Sequence, residues 1–149
     1  MAKVFKGRGA LSNPVPRFGT LAKQAIDDGW YREELADSIA TEVRPEAARS
    51  IISRNDSPDI PFEQSINPYR GCEHGCIYCY ARPTHEYLGY SAGLDFETRI
   101  LVKHELPQLL RAALSAKSWT PQTIGISGVT DAYQPIERKL EITRRSLAV

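Results

Sequence analysis

The cysteines constrain this 149-residue chain more than any other feature of its sequence. Cys72, Cys76 and Cys79 are its 3 cysteines, spaced C-x3-C-x2-C within the run Asn67–Tyr80. Three thiolates this close together can hold one soft metal centre from three sides. An odd number of cysteines in one short loop does not form a disulfide framework, which indicates reduced thiols in a cytosol. Three ligands are one short of closing a tetrahedral zinc site or a four-iron cluster, so the fourth ligand is the central question.

Two metal sites are compatible with this spacing. If the cysteines bind three irons of a [4Fe-4S] cluster, the fourth iron stays open to another ligand. A zinc ion would need His74 as its fourth ligand, since zinc accepts three cysteines and one histidine. His74 lies inside the loop between Cys72 and Cys76, where reaching the same ion is geometrically awkward. The sequence therefore favours the cluster over zinc, with uncoordinated cysteines as a third alternative.

The cysteine loop resembles the signature of the radical S-adenosylmethionine (SAM) enzymes, with Tyr78 as the aromatic residue before the last cysteine. The wider run Asn67–Arg82 is similar to the branch related to spore photoproduct lyase, often called DNA repair photolyase-like. The run Ser127–Pro135 fits the same branch. The resemblance covers roughly residues 50–149.

This resemblance implies a lyase-like radical SAM enzyme whose cluster, held by the three cysteines, binds SAM at its open iron. Reductive cleavage of SAM would then give methionine and a 5′-deoxyadenosyl radical. By the same resemblance, Tyr78 lies near the adenine; simple packing under the loop is the alternative, and Tyr80 could do either. An electron donor such as a flavodoxin or ferredoxin is an expected partner. The loop after the second strand holds the SAM amino group in this family, often through a Gly-Gly-Glu-like run. Here Ser127, Gly128, Thr130 and Asp131 stand in that place, and an ordinary helix-capping turn is the alternative.

The pattern of elements after residue 64 predicts an α/β fold. We expect strands at Ser65–Arg70, Arg99–Lys103 and Thr123–Ser127, a helix at Glu105–Lys117 and a last helix from Pro135. Strands that alternate with helices favour a parallel sheet with helical crossovers. With the resemblance, residues 65–149 are expected to be the first βα units of a partial (β/α) TIM-like radical SAM barrel. A complete barrel needs roughly 250 residues, so the sequence indicates a truncated N-terminal part.

Residues 1–64 are expected to form an irregular N-terminal extension. Residues 1–19 are a basic arm, either a solvated tail or a strand that touches nucleic acid or wraps the core. Two short helices are expected over residues 20–29 and Trp30–Val43.

Charge and hydropathy give little further direction. Lys and Arg number 19 against 18 Asp and Glu, so net charge does not favour nucleic acid or membrane binding. No apolar run is long enough to span a bilayer, and we expect a cytoplasmic protein without membrane contact. Two alternatives to the enzyme stay open: a small zinc-binding module that contacts nucleic acid, and an inactive fragment. The substrate cannot be read from these residues.

Overall fold

The computed structural model describes residues 7–19 and 39–149. Within these residues, six strands form two three-stranded sheets. The strands are β1 (Glu42–Pro45), β2 (Ile52–Arg54), β3 (Gln64–Ile66), β4 (Tyr69–Arg70), β5 (Arg99–Val102) and β6 (Ile124–Ile126). The helices are a 3₁₀ helix (Arg82–Leu88), α1 (Leu94–Thr98), α2 (Leu106–Leu114), α3 (Glu137–Leu140) and α4 (Ile142–Leu147).

The first sheet has the strand order β2-β3-β6. β3 and β6 are parallel, with Gln64 opposite Ile124 and Ile66 opposite Ile126. β2 pairs antiparallel with the other edge of β3. Because β3 and β6 run in the same direction, the segments that follow them leave the sheet at one edge. These two segments are the two runs that the sequence analysis singled out.

The second sheet has the strand order β1-β5-β4. β1 is parallel to β5, and β4 is antiparallel to it. The expected strand at Arg99–Lys103 is therefore confirmed as β5, but its neighbours are not those of a regular parallel sheet. Each sheet takes one strand from the expected N-terminal extension, β1 in this sheet and β2 in the other.

The expected strand Ser65–Arg70 is divided into β3 and β4 at Asn67-Pro68. Proline has no N–H to donate to a sheet ladder and is confined to edges and breaks. At this point the chain passes from one sheet to the other, while the Pro68 carbonyl accepts from Lys103 N at 3.1 Å. The division places Asn67 at the carboxyl end of β3 and the cysteine loop after β4.

The helices pack against the sheets, and an apolar core lies between them. α2 begins next to Pro107 and buries Leu106 and Leu110, as the spacing of its leucines predicts. It ends at Leu114, three residues before the expected end at Lys117. The core joins α2 to both sheets and to α4 through Ile66, Tyr69, Ile100, Val102, Leu106, Leu110 and Ile142.

The last helix, expected to be continuous from Pro135, is two short helices instead. Glu141 lies between α3 and α4 with a φ of 51°, a left-handed conformation that interrupts an α-helix. Tyr69 of β4 donates a hydrogen bond to the buried carboxylate of Glu137 in α3. This bond ties the C-terminal helices to the strand that leads into the cysteine loop.

Several expectations about the first 43 residues meet the structure only in part. The helix expected over 20–29 and most of Trp30–Val43 lie outside the described residues. Val43 itself lies in β1, so the second helix does not extend to it. Residues 7–19 bond to the 3₁₀ helix and α1 but are mostly exposed and form no strand, so they match neither the expected solvated tail nor the expected strand in full. Among the described residues, no helix has both the length and the apolar character needed to cross a bilayer.

Candidate metal and cofactor site

Cys72 is fixed to the protein core. Its side chain is buried against Ala81 and Phe96, and its N–H donates to the Phe96 carbonyl at 2.9 Å. The preceding Gly71 has a φ of 78°, and a Cβ there would lie 2.9 Å from the same carbonyl oxygen. Glycine is therefore required for the chain to turn so closely over Phe96. Burial raises the pKa of the Cys72 thiol, although backbone N–H groups of His74 and Asp131 oppose this shift.

Cys76 and Cys79 lie on a turn that is more exposed to solvent than Cys72. Gly75 N donates to the Cys72 carbonyl at 3.3 Å, and Cys79 N donates to the Cys76 carbonyl at 3.2 Å. Both of these cysteines are half-buried. Gly75 has a φ of 66°, which allows the reversal between the first and second cysteine.

The run after β6 folds into a compact turn beside the cysteine loop. Ser127 Oγ donates to the Thr130 carbonyl at 2.7 Å, and Asp131 Oδ1 accepts from Tyr133 N at 2.7 Å. Thr130 Oγ1 donates to the Gly71 carbonyl at 2.6 Å, immediately before the first cysteine. The two runs are thus joined directly, and we call this contact between the loop Gly71–Cys79 and the turn Ser127–Gln134 the junction.

Two amide side chains, Asn67 and Gln134, complete this junction. Asn67 Oδ1 accepts from Gly128 N at 2.7 Å and from Val129 N at 3.1 Å. Gln134 is buried; its Nε2 donates to the Gly71 carbonyl at 3.3 Å, and its Oε1 accepts from Glu73 N at 3.0 Å. Both residues stand in the runs that carry the family resemblance, but sequence reasoning gave neither a role. The signal that could have found them is their position, each directly before a proline at a loop boundary.

The junction encloses an open cavity of about 350 Å³. All three cysteines line it, together with the expected site residues Ser127, Thr130 and Asp131. Asp131 is the one carboxylate among the described lining residues, and its Oδ2 lies 3.3 Å from His74 Nε2. The remaining described lining residues are His74, Tyr80, Ala81, Ile126, Ala132 and Tyr133.

Two expected site residues take other positions. The Tyr78 side chain is 86% exposed and does not line the cavity. Tyr80 is 79% exposed as well, but it lines the cavity, and its hydroxyl donates to the Gly128 carbonyl at 2.7 Å. Gly128 therefore contributes a carbonyl to the junction and is not part of the cavity wall. Tyr80 is the aromatic residue of this wall that comes from the cysteine loop.

The described side chains do not form a site for a single ion. No three His, Cys, Asp or Glu side chains among them converge closely enough to hold one metal ion. His74 contacts Asp131, which gives the histidine a partner other than a zinc ion. A four-iron cluster makes a different demand, because each cysteine binds a separate iron at its own corner. Three cysteines around one cavity are compatible with that demand.

Comparisons with known proteins give relatives but no family. No protein-family model matches the chain. A protein of Mycobacterium tuberculosis (strain ATCC 25618 / H37Rv), described as uncharacterized, is 46% identical over 78 residues, which are 52% of this chain and 23% of that protein. An uncharacterized protein of Methanocaldococcus jannaschii is 35% identical over 82 residues, which are 55% of this chain and 29% of that protein. This chain thus spans about a quarter of the length of these relatives, and no solved structure matches it.

Proposed function

We propose that the chain is the cluster-binding part of a radical SAM enzyme. The observation that carries this proposal is the cavity that the three cysteines share with Ser127, Thr130 and Asp131. The run that begins at Asn67 and the run that begins at Ser127 leave the parallel strands β3 and β6 at the same edge of a sheet, and the cysteines follow the first run's short strand β4. In α/β folds that edge is where active sites form. The partial TIM-like barrel stays a prediction, since β3 and β6 are only a single parallel pair.

The residues fit the group that the proposal requires. Cys72, Cys76 and Cys79 supply three thiol ligands, one fewer than a closed cluster needs. When bound, the cluster supplies one electron that breaks a carbon–sulfur bond of SAM, yielding methionine and a 5′-deoxyadenosyl radical that takes hydrogen from a substrate.

The chain's own residues bind and orient the cofactor in this proposal. Asp131 places a carboxylate on the cavity wall, where it can pair with the amino group of SAM. Ser127 and Thr130 donate their hydroxyl hydrogens within the junction, and Thr130 Oγ1 also accepts from Gln134 Nε2 at 3.1 Å, so each offers the cofactor only a remaining acceptor lone pair. Tyr80 gives the wall an apolar ring, while the buried Cys72 side keeps water from one flank of the site.

The activity of the whole protein extends beyond these residues. An electron donor such as a flavodoxin or ferredoxin, a cytoplasmic location and a lyase-like reaction are proposals that follow from the resemblance. Nucleic acid as a partner has the same standing. The substrate is left open, because about three quarters of each relative lies outside the matched segment.

Anaerobic reconstitution with iron and sulfide tests the proposal. We expect the 149-residue chain to take up about four irons, the content of one cubane cluster, with a spectrum that changes on SAM addition. Cys72→Ala should abolish this uptake, whereas His74→Ala should retain the iron because it leaves all three thiols. A chain purified without oxygen that holds one zinc and no iron, and loses that zinc in His74→Ala, contradicts the proposal and supports the zinc-binding module.

A further inference from the structure

Arg82 lies behind the cysteine loop and uses every N–H of its guanidinium. Nε donates to the Cys76 carbonyl at 2.9 Å, and Nη2 donates to the Gly75 carbonyl at 2.8 Å. Nη1 donates to the carbonyls of Ala92 and Gly93, both at 3.1 Å. The remaining donor binds a carboxylate oxygen of Glu97 at 2.5 Å. The side chain is almost fully buried, so these bonds hold it in one orientation.

Glu97 in turn holds Arg82 and the N-terminal arm. Its carboxylate is fully buried, and Oε1 accepts from both Arg82 and Ala10 N, the latter at 2.6 Å. Oε2 accepts from Arg8 N at 2.7 Å and from Gly9 N at 3.0 Å. We call residues 7–10 the strap. Its backbone N–H groups bind both oxygens of the carboxylate, and Ala10 N shares Oε1 with Arg82.

The strap also touches the cysteine loop directly. A Cβ on Gly9 would overlap the carbonyl oxygen of Gly75, the same carbonyl that Arg82 binds. A Cβ on Gly75 would lie 2.6 Å from the Cβ of Arg8. Two glycines therefore face each other where strap and loop cross, and neither position has room for a side chain.

The three cysteines depend on Arg82 to different degrees. Cys72 is held by the core and by the Phe96 carbonyl. The Cys76–Cys79 turn is half-buried, and Arg82 donates hydrogen bonds to the Cys76 carbonyl and to that of the preceding Gly75. The guanidinium therefore holds the backbone at Gly75 and Cys76, between the first cysteine and the last.

We propose that Arg82 is a positioning residue for the cluster, held in place by Glu97 and the strap. This inference rests on the proposed function. A buried ion pair costs desolvation free energy and is weak grounds for stability alone. Here the guanidinium of the pair instead binds two loop carbonyls. In metal sites, residues behind the direct ligands orient those ligands in this way.

Two variants test it. Arg82→Lys keeps the charge but replaces a planar fork of five donors by three donors on one nitrogen. Gly9→Ala leaves the Arg82 and Glu97 side chains unchanged but forces the strap and the loop apart at Gly75, so it keeps the test open if the first variant folds poorly. Arg44→Lys is the matched control, because Arg44 forms an exposed pair with Glu42 away from the cysteines.

Three readouts separate positioning from simple stabilisation. They are amide hydrogen exchange at Gly75 and Cys79 in the metal-free chain, the rate of cluster loss to a chelator, and the electron paramagnetic resonance line shape of the reduced cluster. We expect Arg82→Lys to release the cluster about 10- to 100-fold faster, the usual effect of removing a partner of metal ligands. Gly9→Ala should give a smaller change in the same direction, and Arg44→Lys none.

The outcomes distinguish this inference from the proposed function. A wild-type chain that takes up no iron overturns the proposed function and the inference with it. A wild-type chain that forms the cluster, with release rate, line shape and exchange unchanged in both variants, overturns the inference alone. Lower melting temperatures with those three readouts unchanged would show that the network only stabilises the fold, which also overturns it.

Discussion

The cysteine loop is held from two sides, and the two sides use different chemistry. On the side of β6, neutral groups carry the contacts: the amides of Asn67 and Gln134 and the hydroxyl of Thr130 bind backbone N–H and carbonyl groups. On the side of the strap, a buried charge pair, Arg82 with Glu97, carries them. The neutral side bears the expected cofactor contacts, whereas the charged side bears none of them.

Because their contacts differ in charge, the two sides should respond differently to mutation and to pH. Neutral hydrogen bonds are worth little net free energy, but a buried group left without a partner costs about 1–3 kcal/mol. A buried ion left without its partner costs about 3–5 kcal/mol. The strap side should therefore be the more sensitive to mutation, and its buried Glu97 carboxylate should make it respond directly to pH.

The largest effect should come from Glu97→Ala. The change leaves the Arg82 guanidinium buried without its carboxylate and three strap N–H groups without an acceptor. We expect a loss of about 3–5 kcal/mol in the free energy of unfolding, measured by urea denaturation of the metal-free chain. Glu42→Ala, which removes the exposed partner of Arg44, is the matched control and should cost far less, because solvent screens that pair. Equal losses in the two variants would remove the basis for the comparison.

An intermediate effect is expected on the neutral side from Gln134→Met. Methionine keeps the approximate length of the side chain but leaves Glu73 N and the Gly71 carbonyl without this partner. We expect a loss of about 1–3 kcal/mol by the same measurement. Because Gln134 contacts the loop next to Cys72, hydrogen exchange should rise at Glu73 and less at Cys79. A rise confined to Cys79 would show that the two sides are not separate supports.

The sequence predicted the neutral side better than the charged one, and the reason is physical. Local apolar patterns predict the strands β5 and β6 and the helix α2, and the structure confirms their positions. The segments after β3 and β6 could be expected to meet, because parallel strands end at one edge. The pairing of β5 with β4 and β1 could not be predicted, because the apolar pattern of one strand does not indicate which strands pair with it.

The charged side depends on contacts that no local pattern encodes. Arg8 and Glu97 are 89 residues apart, and in sequence each looks like an ordinary surface charge. Tyr78 and Tyr80 show the same limit over a shorter range. Their alternation does not reveal which ring lines the cavity, and the structure selects Tyr80.

The smallest effect, and the sharpest test of the difference in chemistry, is acid titration. Burial alone would raise the pKa of Glu97, but hydrogen bonds from Arg82, Gly9 and Ala10 outweigh burial and lower the pKa below its usual value near 4.5. The unfolded chain therefore binds a proton at this position before the folded chain does, so the contribution of Glu97 is complete above about pH 4.5 and is lost as pH falls through the lower folded pKa. The two causes oppose each other and protonation keeps the side chain in place, so the loss should be smaller than in Glu97→Ala.

The comparison with Glu97→Gln isolates this titration from that of other carboxylates. The difference in unfolding free energy between wild type and Glu97→Gln should shrink as pH is lowered from 6 to 3. The corresponding difference for Gln134→Met should stay constant over the same range, because no group on that side chain titrates. If the Glu97 difference is constant or grows on acidification, the carboxylate is not the charged anchor of the strap side, and the contrast between the two supports fails.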